Sequence, residues 1–191
     1  MFHLDTRNSS YWFRITEHGY LEHLHYGVRL PQDQDPTALA IKRTMEIGTS
    51  IAYKEIDPTY QLDHLCLEWS GIGMGDFRTS PCEIVTGDDS YSTDFRYREH
   101  EWVPGPMVGA TLPGPHATSD EAKTLTVHLK DQQAHLSLAM EYAVFPKTDV
   151  ISRRSTLHNH GDRPISIRWM ASMMIDLPDK QYRVLDLCCV T

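Results

Sequence analysis

Leu125, Val127 and Leu129 alternate with Thr124, Thr126 and His128, and the alternation resumes at Leu136, Leu138, Met140, Tyr142 and Val144. A period of two puts every apolar side chain of such a segment on one face, which defines a half-buried β-strand and excludes an amphipathic helix. The Asp131-Gln-Gln-Ala134 stretch between the two segments is short enough for a hairpin. Paired strands with one apolar face must cover that face with a second layer, so this one feature directs the chain toward packed antiparallel sheets.

Further strand signals surround that pair. The segment from Asp149 to His158 carries the β-branched pair Val150 and Ile151 and ends in the turn residues Asn159-His-Gly-Asp162. Ile165, Ile167, Trp169, Ala171, Met173 and Ile175 then share one face of a following strand, and a last strand is expected from Tyr182 to Val190. Toward the N-terminus, Ser10 to Ile15 and Tyr20 to His25 read as a hairpin about Glu17-His-Gly19, with two more strands at Cys82 to Thr86 and Thr93 to Val103. Only Thr37 to Glu46 has the composition of a short helix. The expectation is an all-β domain, a two-sheet antiparallel β-sandwich with few short helices, in which Trp12, Trp102 and Trp169 pack inward.

Two stretches break the strand pattern. Pro31 to Tyr60, with Asp35-Pro36 and Asp57-Pro58, is too long for an ordinary connection and reads as a functional or mobile arm. Pro104 to Pro115 is proline-rich, cannot donate to a ladder and is expected to cross the surface in extended form.

At 191 residues and 40% hydrophobic content the chain can bury a substantial core as one domain, residues 1–191. A net charge of -8, with no long run of Lys or Arg, argues against a nucleic-acid partner and suits a neutral substrate. There is no 18-residue apolar run to span a membrane, and Met1 to Asp5 lacks the basic start and apolar stretch of a secretory signal, so cytoplasmic residence is the default expectation. Cys188 and Cys189 are adjacent while Cys66 and Cys82 lie far from them without CxxC spacing, which favours reduced, packed thiols over disulfides.

The motifs that carry function come next. Gly71-Ile-Gly-Met-Gly-Asp-Phe-Arg78 is answered by Ser92-Thr-Asp-Phe-Arg-Tyr97, and the chain also holds Asp149-Val-Ile-Ser-Arg-Arg154, Asn159-His-Gly-Asp162 and Ile175-Asp-Leu-Pro178. The glycine spacing is not a phosphate loop, since no Gly-Lys-Ser/Thr follows and no helix opens after it. Glycine's access to positive φ instead lets the chain turn sharply and present Asp76 and Arg78. Two readings stand for Asp76 with Arg78 and for Asp94 with Arg96: a structural ion pair, or a rim that touches a substrate pocket.

Taken together, these motifs resemble the N-terminal domain of family 36 glycoside hydrolases, the microbial α-galactosidases, over nearly the whole chain. The resemblance implies a β-supersandwich, a parent enzyme that removes terminal α-galactosyl groups with two carboxylates, and a catalytic barrel downstream of Thr191 that holds both of them. No catalytic residue, metal or cofactor is therefore assigned to this chain, and its implied partners are its own barrel, further copies of itself and galactosides reached through the parent. A chain that stops within the Tyr182 to Val190 strand fits a fragment of a longer enzyme.

In this family the N-terminal domain of one subunit borders the active-site pocket of another, so substrate contacts are sought before and within Gly-Asp-Phe-Arg. Relatives often carry Arg-Thr-Phe-Ser-Leu-Asp where this chain has Pro-Thr-Tyr-Gln-Leu-Asp from Pro58 to Asp63, which removes the arginine. The substrate-binding candidates are Glu46, Trp69, Asp76 and Arg78; for Trp69, sugar stacking stands beside a place in the core. His23-x-His25 and His158-x-His160 each align two imidazoles, but without further ligands at diagnostic spacing they read as hydrogen-bonded histidines rather than a metal centre. No Gly-x-Ser-x-Gly elbow or cysteine-nucleophile signature is present. The alternative function is a free-standing carbohydrate-binding or structural β-sandwich.

Overall fold

The computed structural model describes residues 1–40, 51, 53, 60–107 and 114–177. Among these, β1 (Phe2–Asp5), β2 (Ser9–Ile15) and β3 (Leu21–Val28) form one antiparallel ladder in that order. A second ladder runs β5 (Arg96–Pro104), β6 (Lys123–Asp131), β7 (Leu136–Phe145) and β8 (Val150–Asn159), and β4 (Cys82–Val85) pairs with β9 (Ser166–Met170). Phe2, Leu4 and Phe13 of the first ladder meet Leu125, Val127, Leu138 and Met140 of the second in one main core, to which the β4–β9 ladder adds Cys82 and Ile84. The layered, antiparallel all-β architecture expected from the alternation is the one observed. Burying each such side chain contributes roughly 1.5–3 kcal/mol, which makes this shared face the main source of stability.

The β6–β7 hairpin turns on Asp131, which is buried although charged. Its Oδ1 accepts the backbone N–H groups of Gln133 and Ala134, each at 2.9 Å, and its Oδ2 accepts that of Asp94 at 2.7 Å. One carboxylate thereby sets the turn and ties it to the strand that enters β5. At the opposite end of β7, Asp149 takes positive φ and accepts from Thr6 Oγ1, Asn8 N and Asn8 Nδ2, joining the β7–β8 turn to the β1–β2 turn.

Several details differ from the sequence reading. β1 was not anticipated: it is only four residues long, yet Phe2 and Leu4 point into the core while His3 stacks on Trp12 at 4.0 Å. β9 stops at Met170, and the apolar set that continues through Ile175 runs on without strand pairing. Trp12 packs inward as expected, but Trp102 is 40% exposed and Trp169 56%, because β5 from Arg98 to Val103 and β9 from Ser166 to Trp169 are uncovered on both faces. Lys123 covers part of Trp102 with its ammonium 4.7 Å from the ring centroid.

The short helix is a 3-10 turn at Pro36–Leu39, capped by the Asp35 carboxylate on Thr37 N, and the remainder of Thr37 to Glu46 lies outside the described residues apart from Ala40. The Tyr182 to Val190 strand, Cys188 and Cys189 also lie outside them, as does part of Pro104 to Pro115. Cys66 and Cys82 are both buried, and burial pushes the Cys82 thiol up to about 11.

Asp131→Ala is expected to destabilise the chain by about 2 kcal/mol, since it strands three amide donors near the turn, and Asp131→Asn by less. Urea denaturation followed by tryptophan fluorescence measures both.

Candidate functional site

The glycine loop at 71–75 packs directly on the segment that precedes β5. A Cβ on Gly71 would stand 2.5 Å from the Thr93 carbonyl oxygen, and one on Gly73 would stand 2.2 Å from Ser92 Oγ. Gly73 also has φ +98°, a conformation costly to any residue with a Cβ. Thr93 N donates to the Ile72 carbonyl at 2.9 Å, so the segments that lead into the two Asp-Phe-Arg repeats lie against each other.

The repeats are nevertheless used in opposite ways. In the second, Phe95 is 5% exposed within the main core, while Asp94 and Arg96 pair at 2.8 Å and Tyr20 donates to Asp94 at 2.7 Å. In the first, Asp76 and Arg78 turn inward and Phe77 stands 80% exposed between them. The cause is the Arg78 guanidinium, which donates to Asp76 (Nε to Oδ1, 2.8 Å; Nη2 to Oδ2, 3.1 Å), to the Leu65 carbonyl at 2.5 Å, to the Leu62 carbonyl at 2.6 Å and to the Asp176 carboxylate. Burial opposes that charge, but the hydrogen bond and charge of Asp76, then those of Asp176, more than offset it and hold the arginine above its ordinary value. Arg78 thus gathers the Leu62-Asp63 end of the Pro58 to Asp63 segment, the Gly-Asp-Phe-Arg motif and the Ile175-Asp-Leu-Pro178 motif around one cation.

Trp69 is 5% exposed and belongs to the main core, so the packing role is the one its ring has in the described chain. Glu46 lies outside the described residues. Asp76 and Arg78 are brought together, with both committed to structural bonds.

Sequence reasoning missed a second centre. Glu68, 1% exposed, accepts from Tyr11 Oη at 2.6 Å and Tyr142 Oη at 2.7 Å and lies 3.0 Å from His23 Nδ1 and 3.1 Å from Arg153 Nη1. Arg153 also donates to the Glu68 carbonyl at 2.7 Å and the Met174 carbonyl at 2.8 Å, and its guanidinium lies 5.0 Å from the Tyr142 ring centroid. Burial pushes the Glu68 carboxyl upward, but the Arg153 charge and the His23 and Tyr11 hydrogen bonds outweigh it, and the carboxylate is held below its ordinary range. Burial, and then the Glu68 charge, push the Tyr11 and Tyr142 hydroxyls well up, so both remain donors. The only available signal was a charged residue inside the apolar run Leu67-Glu-Trp69, which gives no indication of its partners.

His23 and His25 have different partners, whereas the rings of His158 and His160 lie side by side with centroids 6.3 Å apart. His23 belongs to the Glu68 centre, while His25 Nε2 lies 3.0 Å from the Val28 carbonyl and His160 Nε2 lies 2.7 Å from Ser137 Oγ. Among the described residues, no three His, Cys, Asp or Glu side chains converge to hold a metal ion, and no helix is long and apolar enough to cross a membrane.

Glu68→Gln is expected to cost about 3–5 kcal/mol at neutral pH, because Arg153 is left buried without its counter-charge. The lowered folded value makes the sign definite: the carboxylate's contribution is present above its ordinary value of 4.5 and is lost as pH falls through the folded value. Urea titrations across that range should therefore show the gap between the wild-type chain and Glu68→Gln closing on acidification. Phe95→Ala should cost about 3–5 kcal/mol and Phe77→Ala no more than about 0.5 kcal/mol in the same assay.

Residues 19–188 match the model of the glycosyl hydrolase family 36 N-terminal domain. The chain is 35% identical over 126 residues to probable α-galactosidase G of Emericella nidulans, covering 65% of this chain and 17% of that protein. It is 29% identical over 185 residues to the bifunctional α-galactosidase/sucrose kinase AgaSK of Mediterraneibacter gnavus, covering 97% of this chain and 20% of that one. The crystal structure of the α-galactosidase from Lactobacillus brevis superposes with a TM-score of 0.87 at 28% identity, over 95% of this chain and 24% of that one. A variant of α-galactosidase AgaA from Geobacillus stearothermophilus, in complex with raffinose, gives 0.85 at 28% identity, over 93% and 24%. The chain spans about a quarter or less of the length of these relatives.

Proposed function

Since the chain belongs to the glycosyl hydrolase family 36 N-terminal domains, we propose that it serves as the non-catalytic N-terminal part of a cytoplasmic enzyme that hydrolyses terminal α-galactosyl groups of oligosaccharides. In this reading it packs on a catalytic barrel, supports homo-oligomer assembly and contributes to the rim of the galactoside pocket. The observation that carries the proposal is the Arg78 centre. Four separate groups are spent on holding Arg78, and the visible outcome is a phenylalanine presented to solvent at 80% exposure on a fixed base. A large apolar ring held outward so firmly suits a surface that another domain or subunit covers.

Asp76 and Arg78 act at the rim by positioning Phe77, and Trp69 serves as part of the main core. Glu46 is retained as a rim acid on its position in the sequence alone. The two carboxylates that glycoside hydrolysis requires are assigned to the barrel on the family resemblance, and Asp76, Asp176 and Glu68 of this chain are paired with Arg78 and Arg153. The second reading, a free-standing carbohydrate-binding sandwich, draws on the exposed Trp102 and Trp169.

A chromogenic α-galactoside should be hydrolysed by the product of the uninterrupted reading frame and not by residues 1–191. Turnover by the 191-residue chain overturns the assignment of the carboxylates to the barrel. In the longer product, Phe77→Ala should lower activity or shift the oligomer toward smaller species in analytical ultracentrifugation, while leaving the stability of residues 1–191 unchanged.

A further inference from the structure

Three loops at one end of the structure line an open cavity of about 350 Å³: the β4–β5 connection around Thr86 to Ser92, the β6–β7 hairpin at Gln133 to His135, and the β8–β9 turn from Asn159 to Ile165. That volume falls within the range of small-molecule sites, roughly 300–1,000 Å³. Its walls are tied to one another. His160 N donates to the His135 carbonyl at 2.9 Å, joining the third loop to the second, and Arg163 Nη1 donates to the Gly87 carbonyl at 3.2 Å, joining the third to the first. Each loop is also fixed internally: Asp131 holds the hairpin, Thr86 N donates to the Ser90 carbonyl at 2.9 Å, and Asn159 Oδ1 accepts Gly161 N at 2.9 Å. A Cβ on Gly87 would meet the Arg163 Cβ at 2.4 Å, so glycine is what lets the Arg163 stem lie across that wall.

These ties leave polar groups unspent. Gln133, His135 and Asp162 belong to the lining, and among the described residues the ties of these loops run through backbone groups of Gln133 and His135 and through other side chains. Together they offer donors and acceptors from different sides, with the aliphatic groups of Ala134 and Ile165 between them, and both of these pack against the main core. An anion is disfavoured, because Asp88 and Asp162 face Arg163 as the single cation in the lining. A nucleobase is disfavoured too, because no Phe, Tyr or Trp side chain lines the walls to sandwich a base. A pyranose unit matches both features: hydroxyl groups that donate and accept around its edge, and an apolar C–H face for the aliphatic surface. We infer that this loop-end cavity binds one unit of a neutral saccharide, with Gln133 and Asp162 as its principal hydrogen-bonding residues.

The test is hydrogen–deuterium exchange on the full natural chain with raffinose as the probe and inorganic phosphate in a parallel arm. Raffinose should slow exchange in peptides covering residues 86–92, 131–136 and 159–165. Gln133→Ala and Asp162→Ala, both at exposed positions outside the loop ties, should each weaken that protection about tenfold in the concentration required. Unchanged exchange in all three loops at saturating raffinose overturns the inference, even where protection occurs elsewhere in the chain. Protection by phosphate in place of raffinose, or protection that persists in both variants, overturns it equally. Hydrolysis of a galactoside by the longer product bears on neither outcome.

Discussion

The carboxylate of Glu68 is the constraint on which the rest of the structure depends. It sits at the junction of the two larger ladders and receives hydrogen bonds or charge from β2 through Tyr11, β3 through His23, β7 through Tyr142 and β8 through Arg153. An isolated ion at that depth would cost several kcal/mol, and it is tolerated because each oxygen has partners of the correct polarity. Apolar faces alone define which surfaces meet, while a shared carboxylate with directional partners defines how they meet. A slip of one ladder against the other would leave Glu68 or Arg153 buried without its counterpart.

Arg78 performs the same service at the periphery. The Gln61–Leu65 turn, the glycine loop and the segment around Asp176 have little regular secondary structure to hold them, and their backbone carbonyls and carboxylates converge on one guanidinium. The planar fork of an arginine serves several acceptors at fixed angles, which a lysine cannot do. Motifs that look like separate signatures along the chain are thus the spatially joined parts of one clamp. Phe77 is its exposed product, and the proposed role at a domain or subunit boundary follows from that presentation.

Legibility varied with the range of the interaction. The β6–β7 hairpin could be read from alternation because its determinants, the apolar period and the Asp131 turn, lie within a few residues of one another. Trp102 and Trp169 sit in strand-like segments yet face solvent, since a strand pattern does not state whether another layer covers either face, and here both faces around them are exposed. β1 escaped notice because four residues hold too short a pattern, and its burial comes from neighbours it meets only after folding. For Glu68 the partners stand 45 to 85 residues away along the chain, beyond the reach of any local rule.

By itself, the sequence determined the all-β class, most strand positions, the places where glycine is required and the family to which the chain belongs. These are properties of local stereochemistry and of motif identity, both of which are written in consecutive residues. Only the tertiary structure decided that two copies of Asp-Phe-Arg have opposite orientations, with Phe95 inward and Phe77 outward. Arg78 donates to two carbonyls and to a second carboxylate from distant segments, whereas Arg96 lies beside Asp94 over the Tyr20 ring with one longer bond to the His18 carbonyl, and its phenylalanine enters the core.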